Sequence, residues 1–481
     1  MTRLALPEDR SSIPAMPAPL LDTHHRNDAS YAPAFPQGLS RELVLEISAR
    51  KQEPRWMREL RLEAWKIFEH KWYTQGMPTW GPDLSGLDLQ QIRYYARAEA
   101  KHNAKSWDEV PEDIKQTFEK LKIPEAERAV LAGVGAQYES ENIYHHLQET
   151  WAKQGVIFED FDVAVRTHSE LVRTYIARTV PLNDHLFTAL HYAVCSGGTF
   201  LYVPAGVEIC QPLQAYFRMN AARQGQFEHT LIVLEEGAKA HYIEGCSAPQ
   251  YASASLHAGC VEVVVAPHAT MRYSSVENWS SNTYNLNTKR ALVHRNATME
   301  WVGGNLGSGV TMLYPCSILA GEGARADHLN VAFASTGQHQ DTGAKVILVA
   351  PNTRATIVSK SLSKGGGNST YRGLVQLQRG AKNATVNIEC DALLLDNQTS
   401  VSDTVPHIDC HEPSANITHE ASAGRVSAEV LLYLQSRGIA EETAKALVVR
   451  GFLDEVVRTL PLEYASELNR LIEIEMEGSV G

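Results

Sequence analysis

The chain has 481 residues, enough for roughly two to four domains and an ample buried core. Its formal net charge of −12 excludes a sequence-independent nucleic-acid binder, which needs a surplus of Lys and Arg. No apolar run approaches the roughly 18 residues of a membrane span, and residues 1–19 lack the apolar stretch of a secretory signal. The expectation is a soluble, cytoplasmic protein that binds neither membrane nor nucleic acid. Seven cysteines at 195, 210, 246, 260, 316, 390 and 410 are widely spaced, with no Cys-x-x-Cys pair. They make neither a disulfide framework nor a self-contained zinc motif, and each reads by default as a small buried hydrophobe.

In chain order, residues 1–38 are rich in Pro, Ala, Asp and Ser and read as a disordered leader. Ser40 caps a helix at 41–52, and Pro54 opens a second to about residue 72. Pro and Gly at 77–86 mark an extended loop, and further helices are expected at 108–122, 124–132, 140–153 and 168–178.

Then a turn recurs: Pro204-Ala205-Gly206-Val207, Glu236-Gly237-Ala238, Pro267-His268-Ala269, Arg295-Asn296-Ala297, Glu322-Gly323-Ala324, Pro351-Asn352-Thr353 and Arg379-Gly380-Ala381. The middle residues are 31, 31, 28, 27, 29 and 28 apart. Periods of this size indicate a solenoid whose coils cover one another's apolar faces. Gly and Asn tolerate positive φ at the turn, and the small residue after it lets coils stack closely. The intervening runs (231–234, 261–266, 345–350) are rich in Val, Ile and Leu, so the solenoid is a parallel β-helix with two or three short strands per coil. Three short helices follow at 427–436, 441–450 and 462–475, separated by Gly438, Gly451 and Pro461. They would cap the open end, and their remaining apolar stripe suits a docking face equally well. The expected divisions are a leader (1–38), an N-terminal helical region (39–182), the β-helix (183–410) and a C-terminal helical region (411–481).

Three places carry candidate chemistry. Cys246, in Glu244-Gly245-Cys246-Ser247, leaves a strand before a Pro-containing loop and is expected where the solenoid opens to solvent, accessible to sulfur or metal. Cys390 lies by alternation on the opposite strand face from Glu389 and Asp391. The loop His407-Ile408-Asp409-Cys410-His411-Glu412, with His419-Glu420, gathers metal-ligand types, but its spacing matches no zinc signature. Lys364-Gly365-Gly366-Gly367-Asn368-Ser369-Thr370 is not a P-loop, because its Lys precedes the glycines; it reads as an inter-coil turn. A polysaccharide-cleaving β-helix would show an Asp, Arg and aromatic groove and a secretion signal, and neither is evident.

From about residue 39 onward the chain resembles the SufB/SufD family of SUF iron–sulfur cluster assembly proteins, its SufB branch more than SufD. The phrases that carry the resemblance are Met77-Pro78-Thr79-Trp80-Gly81-Pro82-Asp83-Leu84-Ser85-Gly86, Tyr242-Ile243-Glu244-Gly245-Cys246, Gln338-His339-Gln340-Asp341-Thr342-Gly343 and Ser369-Thr370-Tyr371-Arg372-Gly373, with the terminal Glu477-Gly478-Ser479-Val480-Gly481. The resemblance implies a mainly β fold, a right-handed parallel β-helix flanked by helical regions, and a non-catalytic scaffold, with a SufD-like structural partner that lacks its own cluster site as the alternative. It implies a complex with the ATPase SufC, docked on the C-terminal region, and with SufD or a second SufB. The sulfur donor would be SufS with a SufE- or SufU-type carrier. A transient iron–sulfur cluster is the implied cargo, and a reduced flavin has been linked with such complexes, although no flavin fingerprint is present.

By position, Cys246 resembles the persulfide acceptor; Arg218, Asn220, Trp279 and Lys289 resemble residues of a sulfur path. Cys390 and Glu420 resemble the cluster-building site, with His419 and Cys410 as additional candidate ligands. Arg218 and Lys289 would lower thiol pKa. Glu277 stands where many relatives carry Gln and would oppose thiolate formation. Cys246 follows the second turn and Cys390 the seventh, which places them about 24 Å apart along the axis at one inter-strand spacing per coil.

Overall fold

The computed structural model describes residues 35–96, 131–219, 223–249, 253–396 and 399–459, together with Ala465 and Asn469. Residues 1–34 of the expected leader, the helix at 108–122, nearly all of 124–132 and all of the helix at 462–475 but Ala465 and Asn469 lie outside the described residues. The end of the leader is packed, with the Phe35 ring 4.9 Å from that of Tyr95.

Ser40 caps helix Arg41–Arg50 by accepting from the Leu43 amide at 3.2 Å. Helix Arg55–Gln75 follows Pro54 and runs past the expected end to Gly76, whose φ of +67° ends it. The two helices bury Leu43, Val44, Ile47, Met57 and Phe68 in a core shared with helix Leu186–Val194 and the outer face of the solenoid. Among the described residues no helix is long and apolar enough to cross a membrane.

The solenoid is parallel and has about 8 turns. One sheet has ten strands, in the order Glu141–Leu147, Gly133–Tyr138, Leu213–Arg218, Lys239–Ser247, Thr270–Trp279, Thr298–Gly307, Arg325–Ala334, Arg354–Ser363, Thr385–Leu394 and Asn416–Arg425. The other has two arms early on. Strand His339–Leu348 pairs with Cys316–Leu319 through one half and with Val310–Leu313 through the other, so three strands per coil become two. All seven turn residues, Gly206, Gly237, His268, Asn296, Gly323, Asn352 and Gly380, have positive φ. Gly365 and Gly366 also sit at positive φ, in the turn before strand Asn368–Leu377.

Several boundaries differ from expectation. The predicted helix at 140–153 is instead strand Glu141–Leu147 and a single helical turn, Glu149–Ala152. Strand Gly133–Tyr138, inside the expected helical region, pairs in parallel with Leu213–Arg218 and antiparallel with Glu141–Leu147, closing the first coil. Pairing to an open sheet edge outweighs weak local helix preference. At the other end, Val401–Cys410 is a strand rather than a loop, and Asn416–Arg425 carries the β-helix beyond residue 410.

Among the described residues, helix Glu441–Thr459 packs on the solenoid flank rather than over that open end. Helix Glu441–Thr459 continues through Gly451, and its Val449, Leu453 and Val456 bury against Ile243, Val276, Val302, Val331, Phe333 and Leu362 on the solenoid flank. Burying each such side chain contributes about 1.5–3 kcal/mol, which exceeds the ~1 kcal/mol that a mid-helix Gly costs.

Inside the coils, aligned positions stack from strand to strand. One column is Tyr242, Tyr273, Trp301, His328, Ile357, Ile388 and His419. His328 is buried beside Ser317, and desolvation pulls its pKa from 6.5 down to about 3. The unfolded chain therefore takes up this proton first. The stability contributed by neutral His328 is present above pH 6.5 and is lost progressively down to about 3. Denaturation across pH should show the wild type losing up to about 1.4 kcal/mol per pH unit in that window relative to His328→Gln. An identical slope in the two proteins would refute this assignment.

Candidate functional site

Cys246 lies in strand Lys239–Ser247, whose Ala240, Tyr242, Glu244 and Cys246 alternate into the solenoid interior. It is 2% exposed, so the expectation of a solvent-open thiol is corrected: the strand continues inward through Cys246 before the chain turns out. Burial, then the carboxylates of Glu244, Glu277 and Glu228, push the thiol well above its ordinary range, and Lys289 opposes them without prevailing. The expected lowering by Arg218 and Lys289 is therefore not realised, whereas the expected opposition by Glu277 is. In register, Glu277 is the direct neighbour of Cys246 on the next strand.

Lys289 is buried and donates to Glu277 Oε1 at 2.7 Å and Ser275 Oγ at 3.2 Å, with Glu244 Oε1 at 3.5 Å. Glu277 also accepts from Asn285 Nδ2 at 2.7 Å, and Asn285 Oδ1 meets His257 Nδ1 at the same distance. His257 closes the chain on Glu228 and lies 4.4 Å, ring to ring, from buried Trp279. Arg218 is fully buried and donates from Nη1 to Ser247 Oγ at 2.8 Å. Thus Cys246, Trp279 and Lys289 face one interior in adjacent coils, whereas Arg218 follows inward-facing Phe217 and lies with its register partner Ser247 on the opposite strand face; Asn220 lies outside the described residues.

Cys390 also faces inward, 4% exposed, on the next-to-last strand of the same sheet. Alternation separates it from Glu389 and Asp391 as expected. Burial, with Asp391 and Glu389 behind it, pushes its thiol up to about 12, and the neighbouring Tyr371 hydroxyl acts in the opposite sense. Its Sγ is 3.7 Å from Nε2 of His419. Glu420, by contrast, pairs in register with Glu389 and is exposed on the outer face. Cys410 is exposed at the end of strand Val401–Cys410 in the other sheet, its thiol directed to the Glu412 carbonyl at 3.5 Å. The structure therefore joins Cys390 with His419 and leaves Glu420 and Cys410 apart from them. One thiol and one imidazole cannot complete the usual four-ligand set of an iron–sulfur cluster.

Between the cysteines runs a column that the sequence reading missed. Glu244, Ser275, Gly303, Asn330, Ser359 and Cys390 occupy one interior position on six successive strands. Every member between Glu244 and Cys390 is small or polar, and a cavity of about 10 Å³, room for one water, opens beside Ser275, Gly303 and Asn330. The signal was present. These residues lie 31, 28, 27, 29 and 31 apart, and the first four intervals repeat the spacing of the turns.

Residues 217–452 match the family described as "SUF system FeS cluster assembly, SufBD core domain", and residues 88–215 match "SufBD protein N-terminal region". An "Iron-sulfur cluster assembly SufBD family protein" of Staphylococcus epidermidis is 53% identical over 445 residues, covering 92% of this chain and 94% of the relative. The "Iron-sulfur cluster assembly protein SufB" of Bacillus subtilis is 52% identical with the same coverage. The interior cysteines thus lie in a solenoid whose sequence matches along nearly its whole length, and the chain belongs to the SufBD family of iron–sulfur cluster assembly proteins.

Proposed function

We propose that the chain is a non-catalytic scaffold that accepts persulfide sulfur at Cys246 and builds a nascent cluster at Cys390 for transfer to apo-proteins. The interior column from Glu244 to Cys390 is the observation that carries this reading. Five strand spacings separate the ends, about 24 Å, so one thiol cannot reach the other and sulfur must travel as a small species. The Cys246 thiolate, once its proton passes to a neighbouring carboxylate, attacks the outer sulfur of a donor persulfide. The donor's S–S bond breaks, its thiolate leaves and Cys246 carries the added sulfur. A thiol reductant brought by the complex then attacks the inner sulfur and forms a mixed disulfide, releasing hydrosulfide. A second equivalent of thiol restores Cys246. Lys289, Ser275, Asn330 and Ser359 offer donors to such an anion along the column. The 10 Å³ interior cavity is too small for a flavin, so no step is routed through one.

Strands Val401–Cys410 and Asn416–Arg425 end their sheets, and Val401, Val405 and Ile408 are exposed there. An unpaired edge of this kind suits a second β-helix, SufD or another copy, which would supply the missing ligands. Exposed Val430, Leu432 and Tyr433 on helix Ala428–Ser436 suit docking of the ATPase SufC.

Gly303 tests the route. A Cβ there would stand 3.0 Å from Asn330 Oδ1, so any side chain enters the column. With a persulfide donor and mass spectrometry, Gly303→Val should still load Cys246, whereas Cys246→Ser should not. Cluster formation at Cys390 in Gly303→Val should slow about tenfold. Wild-type assembly in a folded Gly303→Val protein would exclude the column as the path.

A further inference from the structure

Away from the two cysteines above, His191, His229 and Cys260 gather on the outer side of the solenoid, each almost fully buried. His191 comes from helix Leu186–Val194. His229 and Cys260 open adjacent parallel strands and are direct partners in register. One donor atom from each residue lies within 4.8 Å of the others. The site brings together three segments that are far apart in sequence, which is why no local spacing motif announces it.

The proton inventory of the two imidazoles does not close. His191 Nδ1 faces the Ala258 carbonyl at 2.8 Å, and a carbonyl only accepts, so Nδ1 carries the proton and neutral His191 presents a bare Nε2. That Nε2 stands 3.0 Å from His229 Nδ1. The other nitrogen of His229, Nε2, is 3.4 Å from Glu262 Oε1. If neutral His229 holds its proton on Nε2, two lone pairs confront each other at 3.0 Å. If the proton moves to Nδ1, a lone pair confronts the carboxylate instead. Both neutral tautomers are repulsive, and the pair lacks one positive charge.

Glu262 sharpens that deficit. It is fully buried and accepts from the amides of Ala177, Thr179 and Val180 at 2.7–2.9 Å and from the Tyr192 hydroxyl at 2.7 Å. These four donors take the place of the water that burial removes from the carboxylate. A buried carboxylate of this kind needs a cation beside it.

We propose that His191 Nε2, His229 Nδ1 and Cys260 Sγ bind a zinc-class divalent cation that staples helix Leu186–Val194 to the solenoid wall. A divalent ion, the Cys260 thiolate and the Glu262 carboxylate sum to zero charge. The mixed imidazole and thiolate donors suit zinc, and tetrahedral Zn–N bonds need the two nitrogens roughly 3.3 Å apart, close to what is present. Glu262 and the Ala258 carbonyl hold the far ring nitrogens, the arrangement that fixes tautomer and ring orientation at metal-bound histidines. The Tyr192 hydroxyl, 4.0 Å from Cys260 Sγ, is the neighbouring oxygen for a fourth position. Binding releases the Cys260 thiol proton and any proton shared by the histidines, so affinity rises with pH. The rival occupant is a proton, which would leave an imidazolium beside Glu262 and Cys260 as an uncharged thiol.

The test uses the full chain, stripped of iron and zinc by chelator and then titrated with zinc or cobalt. Elemental analysis should give one tightly held zinc per chain, and cobalt should produce a thiolate-to-metal charge-transfer band in the near ultraviolet. Zinc should raise the unfolding midpoint of the wild type. Cys260→Ser should lose the band and weaken binding by about tenfold or more, whereas Cys246→Ser and Cys390→Ser should keep both. Because the wild type is read alone first, a misfolded variant cannot mask the answer. Absence of stoichiometric zinc and of the cobalt band in wild type, or a band that persists in Cys260→Ser, overturns the metal assignment.

Discussion

Replacing Cys390 with Ser should reduce cluster retained after anaerobic reconstitution with iron and sulfide to background, about tenfold or more below wild type. Cys390 is the one thiol near the open end that faces inward, and His419 is the donor held against it at 3.7 Å. Serine fills nearly the same volume and can still meet the Tyr371 hydroxyl, so its effect on stability should be about 1 kcal/mol. The loss is then chemical: serine supplies no soft thiolate for iron. His419→Ala should retain an intermediate amount. Glu420→Ala, on the outer face opposite Glu389, should retain close to the wild-type amount in the isolated chain. Charge-transfer absorption and acid-labile sulfide measure all three. Wild-type retention by Cys390→Ser would remove Cys390 from the site, and a larger loss in Glu420→Ala than in His419→Ala would reverse the order of ligands.

Lys289→Met should destabilise the fold by about 3–5 kcal/mol, because removing one member of a buried ion pair strands the other. Lys289 lies between Glu277 at 2.7 Å and Glu244 at 3.5 Å, and all three are buried. The lysine pulls Glu277 below the usual carboxylate value, although burial alone would raise it. Glu244 is raised, burial prevailing over the more distant lysine. The pair is therefore chiefly Lys289 with Glu277, and Lys289→Met combined with Glu277→Gln should recover part of the loss. Because the folded value of Glu277 is depressed, its contribution is complete above the unfolded value of 4.5 and declines as pH falls through the lower folded value. The penalty of Lys289→Met should shrink in the same range. Denaturant unfolding of the four proteins of this double-mutant cycle measures the coupling. A Lys289→Met protein as stable as wild type would show that water, not the lysine, compensates the carboxylates.

The solenoid was legible because its period is written in single residues. Seven turns at 27–31-residue intervals place Gly, Asn or His where the backbone must adopt positive φ. The facing of Cys390 followed from strand alternation, and the family from long uninterrupted phrases. Less legible were the elements decided by pairing. Residues 141–147 pass for helix until an open strand edge needs a partner. Gly451 looks like a helix end until Val449, Leu453 and Val456 find the solenoid flank. Cys246 reads as exposed because a Gly and a Pro-containing loop surround it, yet its strand carries it inside.

The sequence by itself determined that the chain coils, where each coil turns and which cysteines deserve attention, since backbone strain and side-chain period are local properties. Only the tertiary structure decided that both cysteines face one interior, that five strand spacings of small polar residues connect them, and that His191, His229 and Cys260 meet. Those facts depend on register between coils and on helix-to-sheet packing. Both are set by the burial of many side chains at once, which no local stretch of residues encodes.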